Sequence, residues 1–157
     1  MIKRIQAEAA SSAGCRIALV VSLFNRDVTE ALLEGALAYL IETGVALDDI
    51  TVVEVPGAVE IPLTAQMLAK KNQFDAIIAL GAVIRGETSH YDYVCHYVSE
   101  GCLRVALTFD IPVVFGVLTT ENEAQAWDRL GGAHGHKGRD AAQCALMMQR
   151  ILKQLQD

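Results

Sequence analysis

No stretch of the 157-residue chain approaches the ~20 apolar residues that a membrane-spanning helix needs. The opening segment MIKRIQAEAASSAG contains no apolar core of signal-peptide length, and the chain is read as a soluble, cytoplasmic protein. Its four cysteines, Cys15, Cys95, Cys102 and Cys144, make no CxxC pair and no paired Cys/His ligand spacing. His90, Cys95 and His96 are close in sequence but have no further convergent ligands, so no metal site is expected. The thiols are read as reduced and mostly buried. Excess positive charge is also missing. The formal net charge of −6 weighs against a nucleic-acid backbone as ligand, while an anionic small molecule could still meet a locally positive site. Neither GxxxxGKS/T nor GxGxxG occurs, which leaves nucleotide-loop readings without support. No internal repeat, low-complexity tract or linker divides the chain.

What is present is apolar and ordered. Hydrophobic residues make up 52% of the chain and charged residues 20%, a globular composition. A single domain of this length buries roughly 70% of its unfolded surface. The apolar fraction exceeds what a small monomer needs, and part of it is expected to line subunit contacts.

Arg16–Ser22 (RIALVVS) is a continuous apolar run, as for a strand covered on both faces. Asp27 is a candidate cap for a helix with Val28, Leu32, Leu33, Ala36, Leu37, Leu40 and Ile41 at helical spacing, ended by Gly44. Ile50–Val55 reads as a second strand and Val59–Lys71 as a second helix, with Pro62 tolerable only in its first turn. Asp75–Ile84 and Pro112–Leu118 are the third and fourth strands. Ser89–Phe109, Glu121–Leu130 and Arg139–Gln156 are the remaining helices, the last after the glycine-broken link Gly131–Gly138. This alternation predicts an α/β fold with a parallel sheet, right-handed crossovers and helices on both faces. The whole chain, 1–157, is taken as one domain, with 1–15 as an extended N-terminal segment.

Parallel sheets of this kind bind ligands beyond the carboxyl ends of their strands. Those ends are Ser22–Asn25, Pro56–Glu60, Gly81–His90 and Leu118–Thr120. Phe24 either tops the core or stacks on a planar ring. Glu60 either serves the first turn of its helix or accepts hydrogen bonds from a ligand. At Gly86–His90 a helix starts, with Thr88 or Ser89 as candidate cap. Its free amides and positive dipole end form a ready anion site, although a capped helix with nothing bound reads equally well. His90 in that first turn is either a packed or surface side chain or a proton-transfer catalyst. Arg129 and Lys137 flank the link GGAHGHKG, as solvated cations or as partners for a phosphate. One subunit need not bring Arg129 to its own Gly86–His90 turn. His96, His134 and His136 are read as surface or packing residues.

Four blocks, VPGAVEIP (Val55–Pro62), GAVIRGETSHYDYV (Gly81–Val94), PVVFGVLTT (Pro112–Thr120) and DRLGGAHGHKGRDAA (Asp128–Ala142), taken together resemble the lumazine synthase family of riboflavin biosynthesis. The resemblance runs from about Arg16 to the C-terminus. It implies a flavodoxin-like three-layer α/β/α sandwich with a four-stranded parallel sheet in the order 2-1-3-4. It also implies homopentamers with active sites between neighbours, assembled in many members into a hollow icosahedral shell. The implied activity is that of a transferase. It condenses 5-amino-6-(D-ribitylamino)uracil with 3,4-dihydroxy-2-butanone 4-phosphate to 6,7-dimethyl-8-ribityllumazine, phosphate and water, with no metal or organic cofactor.

By resemblance, Phe24 stacks on the pyrimidine, Ala58, Val59 and Glu60 hold the ribityl chain, and Ala82, Val83 and Ile84 bond the ring through the backbone. Glu87 and Thr88 match the phosphate turn, and His90 the proton donor and acceptor. Phe115 and Lys137 look like a neighbour's contribution near the pyrimidine, and Arg129 its contribution at the phosphate. Two departures stand out. His136 replaces the asparagine common before Lys-Gly, which puts the hydrogen bonding of that loop in question, and Cys95-His96 follow the Tyr-Val of the histidine helix. Three other readings fit less well. A non-catalytic shell would have no use for the complete residue set. A riboflavin synthase of the same fold needs no phosphate turn. A flavodoxin-like FMN carrier needs a Ser/Thr-rich loop where this chain has LFNRDVTE.

Overall fold

The computed structural model describes residues 1–8 and 10–157. Four apolar strands, β1 (Ile17–Ser22), β2 (Ile50–Val55), β3 (Ala76–Ile84) and β4 (Val113–Thr120), pair in parallel in the order β2-β1-β3-β4. This is the order expected from the resemblance. Ile17 pairs with both Ile50 and Ala76, and Ile77 with Val113. Every residue of β1 is buried, and so is every residue of β3 except Ile84. Such strands need cover on both faces. The helices α1 (Arg26–Glu42), α2 (Ile61–Lys70), α3 (His90–Phe109), α4 (Glu123–Asp128) and α5 (Lys137–Gln156) alternate with them and complete a flavodoxin-like α/β/α sandwich.

Alternate side chains of the central strands enter different cores. Ile17, Leu19 and Val21 of β1 join Ile78 and Leu80 of β3 under α1 and α5. Ala18, Val20, Ile77 and Ala79 point the other way, under α2 and α3. The α1–α5 layer is tight, because a Cβ on Gly138 would collide with the Leu32 carbonyl oxygen. Helix α1 stops where Gly44 takes a left-handed conformation, φ +99°. The Gly44 and Val45 N–H groups then donate to the Ile41 and Leu40 carbonyls, closing a Schellman motif.

Several boundaries differ from the sequence expectations. Asp27 is not the cap of α1. The helix begins at Arg26 after Asn25, which itself adopts the left-handed conformation, and Asp27 lies in the first turn. A single 3-10 turn, Ala58–Glu60, precedes α2, so Pro62 sits in the first turn, where its missing N–H costs nothing. Strand β4 runs on to Thr120 because Thr119 and Thr120 pair with Val83 and Ile84. The link 131–138 is ordered as a small antiparallel hairpin, β5 (Leu130–Gly132) with β6 (Gly135–His136), and α5 starts at Lys137. No helix among the described residues is long and apolar enough to cross a membrane.

Burial has a chemical consequence for two thiols. Cys102, inside the α2–α3 core, is pushed up to about 11 by loss of solvent. Cys15 is pushed up to about 11 by burial first and by the Asp75 carboxylate second. At pH 8 roughly one molecule in a thousand then carries the reactive thiolate at either position. Alkylation of the native protein at pH 8, read by mass spectrometry, is therefore expected to leave Cys15 and Cys102 unmodified until denaturant is added. Labelling of Cys102 in native protein as fast as in unfolded protein would contradict this packing.

Candidate active site

The carboxyl-end junctions are held by backbone bonds that continue past the strands. Beyond β1, the Leu23 N–H donates to the Val55 carbonyl (2.8 Å) and the Phe24 N–H to the Pro56 carbonyl (3.1 Å). Asn25 then turns the chain in the left-handed region, φ 59°, where asparagine is tolerated. Its Nδ2 donates to the Ala82 carbonyl of β3 at 2.9 Å. The two central strands are thereby tied at their exits. Phe24 has its own position pinned at the backbone, and its ring is left 72% exposed.

That ring is one wall of a cavity of about 410 Å³. Ala58 and Val59 form a second wall, Ala82, Val83 and Ile84 a third, and Thr88 and His90 close the end. Glu60 and Glu87 are exposed at the same junctions. The Glu60 carboxylate folds back over Gly57, another lining residue; a Cβ on that glycine would stand 3.0 Å from Oε2. At the start of α3 the Ser89 side chain makes no capping bond. Thr88 Oγ1 accepts from the His90 N–H instead, at 3.3 Å.

Arg85 has a different task from the residues around it. Its N–H donates to the Thr120 carbonyl, and its Nε donates to Glu121 at 2.7 Å. The guanidinium also pairs with Asp92 at 3.4 Å and lies 4.2 Å over the Tyr91 ring. These bonds, the Glu121 one first, hold Arg85 above its ordinary range. The arginine of GAVIRGETSHYDYV thus ties the start of α3 to the end of β4, with three of its five N–H groups engaged within the chain.

A second cavity, also of about 410 Å³, runs along the open edge of β4. Phe115, Arg129 and Lys137 line it, and it shares no lining residue with the first. Arg129 donates to the Gln125 carbonyl at 2.8 Å and pairs with no carboxylate among the described residues. Lys137 has a loose partner in Asp140 at 3.5 Å. Its backbone N–H donates to the Arg129 carbonyl at 2.9 Å, which joins the two cationic residues through the main chain. No group of three or more His, Cys, Asp or Glu side chains able to hold a metal occurs among the described residues.

The family model for 6,7-dimethyl-8-ribityllumazine synthase matches residues 14–153 of this chain. Two curated relatives carry the same name. The one from Coxiella burnetii (strain CbuG_Q212) is 53% identical over 141 residues, 90% of this chain and 93% of its own length. The one from Salinibacter ruber (strain DSM 13855 / M31) is 49% identical over 143 residues, 91% of this chain and 92% of its own. The chain belongs to the lumazine synthase family.

On this lumazine synthase fold, the residues singled out by resemblance divide between two places. Phe24, Ala58, Val59, Ala82, Val83, Ile84, Thr88 and His90 surround one cavity, with Glu60 and Glu87 beside it. Phe115, Arg129 and Lys137 surround the other. A single chain does not bring His90 and Arg129 into one cavity.

Three residues with positioning contacts escaped the sequence reading. Asn25 appeared only as the last residue of the first strand end. Arg85 lay unexplained inside a quoted block. His136, read as a surface or packing residue that puts the hydrogen bonding of its loop in question, proves to hold that loop: its Nδ1 accepts from the Gly138 and Arg139 N–H groups at 3.1 and 3.3 Å. Only a polar residue next to a strand end or helix start hinted at each, and that signal is common.

The Asn25 geometry gives a graded expectation. Asn25→Ala removes the bond to Ala82, about 1 kcal/mol, and puts a Cβ-bearing residue in left-handed backbone, about 1 kcal/mol more. Asn25→Gly loses only the bond. Denaturant midpoints should therefore fall in the order wild type, glycine, alanine, and equal losses for the two variants would remove the conformational part of this account.

Proposed function

We infer that this chain makes 6,7-dimethyl-8-ribityllumazine from 5-amino-6-(D-ribitylamino)uracil and 3,4-dihydroxy-2-butanone 4-phosphate, releasing phosphate and water in the penultimate step of riboflavin biosynthesis. The family match over nearly the whole chain supports the reaction. The observation that carries the site assignment is the division of a complete residue set between two cavities of equal size. Each is half of what the chemistry requires, and a neighbouring copy supplies the other half. The chain accordingly acts as a homo-oligomer, read as a pentamer of the kind that also builds icosahedral shells, in the cytoplasm.

The roles follow from the groups. Phe24 offers a flat apolar face to the pyrimidine, and the backbone at Ala82, Val83 and Ile84 bonds the ring edge. Ala58, Val59 and Glu60 receive the ribityl hydroxyls. The phosphate sits at Gly86–Thr88, where the first-turn amides and the dipole of α3 favour an anion. Arg129 of the neighbour completes its charge balance, and Phe115 and Lys137 of the neighbour close over the pyrimidine.

The 5-amino nitrogen attacks the butanone carbonyl, and dehydration gives the imine. Phosphate leaves by elimination, the resulting enol tautomerises, and the ribitylamino nitrogen closes the second ring with loss of water. Each step moves a proton, and His90 at the cavity end takes and returns it. Arg129 and the helix terminus stabilise the departing phosphate. Holding two small substrates face to face supplies much of the acceleration by proximity. No metal or organic cofactor enters.

Incubation with both substrates should give lumazine absorbance and stoichiometric phosphate; phosphate release without lumazine would refute the reaction. His90→Ala should cut turnover about ten- to a hundredfold, since proximity survives. An unchanged rate at saturation would remove His90 from the chemistry. Arg129→Ala should weaken the butanone phosphate by about 1.5–3 kcal/mol while sparing the pyrimidine. Equal losses for both substrates would make Arg129 a structural residue. Sharing is tested by co-assembly of His90→Ala with Arg129→Ala. A random ring restores about one interface in four, so activity should climb towards a quarter of wild type. A mixture no better than the mean of its parents, with exchange verified by mass spectrometry, would mean that sites are not shared.

A further inference from the structure

The start of α5 is built in an uncommon way. Helix caps are usually short oxygen-bearing side chains, which accept from the free N–H groups of the first turn. Here the acceptor is an imidazole nitrogen. Nδ1 of His136 takes both the Gly138 and the Arg139 N–H groups, which fixes its tautomer with the proton on Nε2. The ring occupies space that α1 leaves at Gly35, where any Cβ would collide with it. His136 also pairs with Leu130 in the β5–β6 hairpin. One side chain therefore locks α1, the hairpin and α5 together.

The two cationic residues of the second cavity sit on either side of this lock. Lys137 is the next residue, and its N–H bonds the Arg129 carbonyl at 2.9 Å. His136 is absent from the cavity lining, so any influence on a ligand passes through these two neighbours. Protonation at Nδ1 would replace the acceptor by a donor facing two other donors, at the positive end of a helix. The ionisable groups on the elements packed around the ring are Arg26, Asp27, Glu30, Glu34, Tyr39 and Glu42 on α1, Asp128, Arg129 and His134 about the hairpin, and Lys137, Arg139, Asp140, Cys144, Arg150 and Lys153 on α5. Glu42 is engaged with Arg139, and Asp140 with Lys137.

We propose that His136 is a positioning residue whose unprotonated Nδ1 holds Lys137 and Arg129 in place along β4, so that the grip on the phosphate substrate loosens on acidification. This rests on the reaction inferred above. An asparagine in the same place caps as well and does not titrate.

The full-length protein is compared with His136→Asn and His136→Ala between roughly pH 5.5 and 8, the range in which histidine changes charge. At pH 7.5 the alanine variant should raise KM for butanone phosphate about three- to tenfold, the size of one lost cap, with a smaller change in kcat. The asparagine variant should keep KM within about twofold at pH 7.5. It should lack the excess rise in KM that wild type shows on acidification. Amide hydrogen exchange of residues 137–145, taken as the ratio of wild type to the asparagine variant at each pH, should increase as pH falls. This second readout needs no substrate, and the comparison stands even where the alanine variant does not fold. A flat exchange ratio, or parallel KM profiles for wild type and asparagine variant, overturns the proposal. Loss of protection on acidification in a protein that makes no lumazine upholds the cap and refutes the reaction instead.

Discussion

Two strands of this chain cannot tolerate water on either face, and the remaining architecture follows from that constraint. β1 and the body of β3 are buried along their whole width, so helices must cover both sides of the sheet. Parallel pairing sends every strand exit to one edge, and each crossover begins there. The first turns of α1 and α3 and the 3-10 turn before α2 are thereby gathered on a single rim. Backbone bonds from Leu23, Phe24 and Arg85 extend the pairing into the loops. A loop side chain at the rim then stands on a scaffold almost as rigid as the strand beneath it.

Arg85 and Arg129 have different tasks. Arg85 is occupied by Glu121, Asp92 and the Tyr91 ring, contacts that are largely exposed and add little to stability. Their value lies in orientation, since they fix where α3 begins relative to the end of β4. Arg129 keeps one bond to a main-chain oxygen and, among the described residues, pairs with no carboxylate, which leaves its charge available. In the proposed oligomer, this arginine, with Phe115 on the open edge of the sheet, is the part that would face a neighbour's anionic ligand. Tyr93, Tyr97 and Leu107 of α3 are also largely exposed, and a neighbouring copy in the proposed oligomer is what would cover such surface.

The junction GAVIRGETSHYDYV shows how much a short segment can carry. Its apolar half is β3, completing both cores. Its arginine braces, its threonine caps the His90 N–H, and its histidine ends the cavity. Glycine at position 86 leaves open space where a side chain would stand, beside the helix start proposed to take the phosphate.

Much of this was legible before any coordinates. Unbroken apolar runs at Arg16–Ser22 and Asp75–Ile84, alternating with helical periodicity, determine a parallel α/β sandwich by themselves, because period and burial are local properties of the chain. Gly44 and Pro62 mark helix boundaries for equally local reasons. The four motif blocks identify the family. Tertiary structure alone decided the rest. Asn25 rather than Asp27 starts α1, because its amide reaches Ala82, 57 positions away in sequence. The glycine-rich link becomes a hairpin whose last residue, His136, caps α5, because Gly35 on a distant helix leaves room for the ring. Arg129, at the end of α4, lines the cavity along β4, while His90, at the start of α3, lines the one at the strand exits. Contacts of that range depend on which elements the fold brings together, and no local pattern of residues records them.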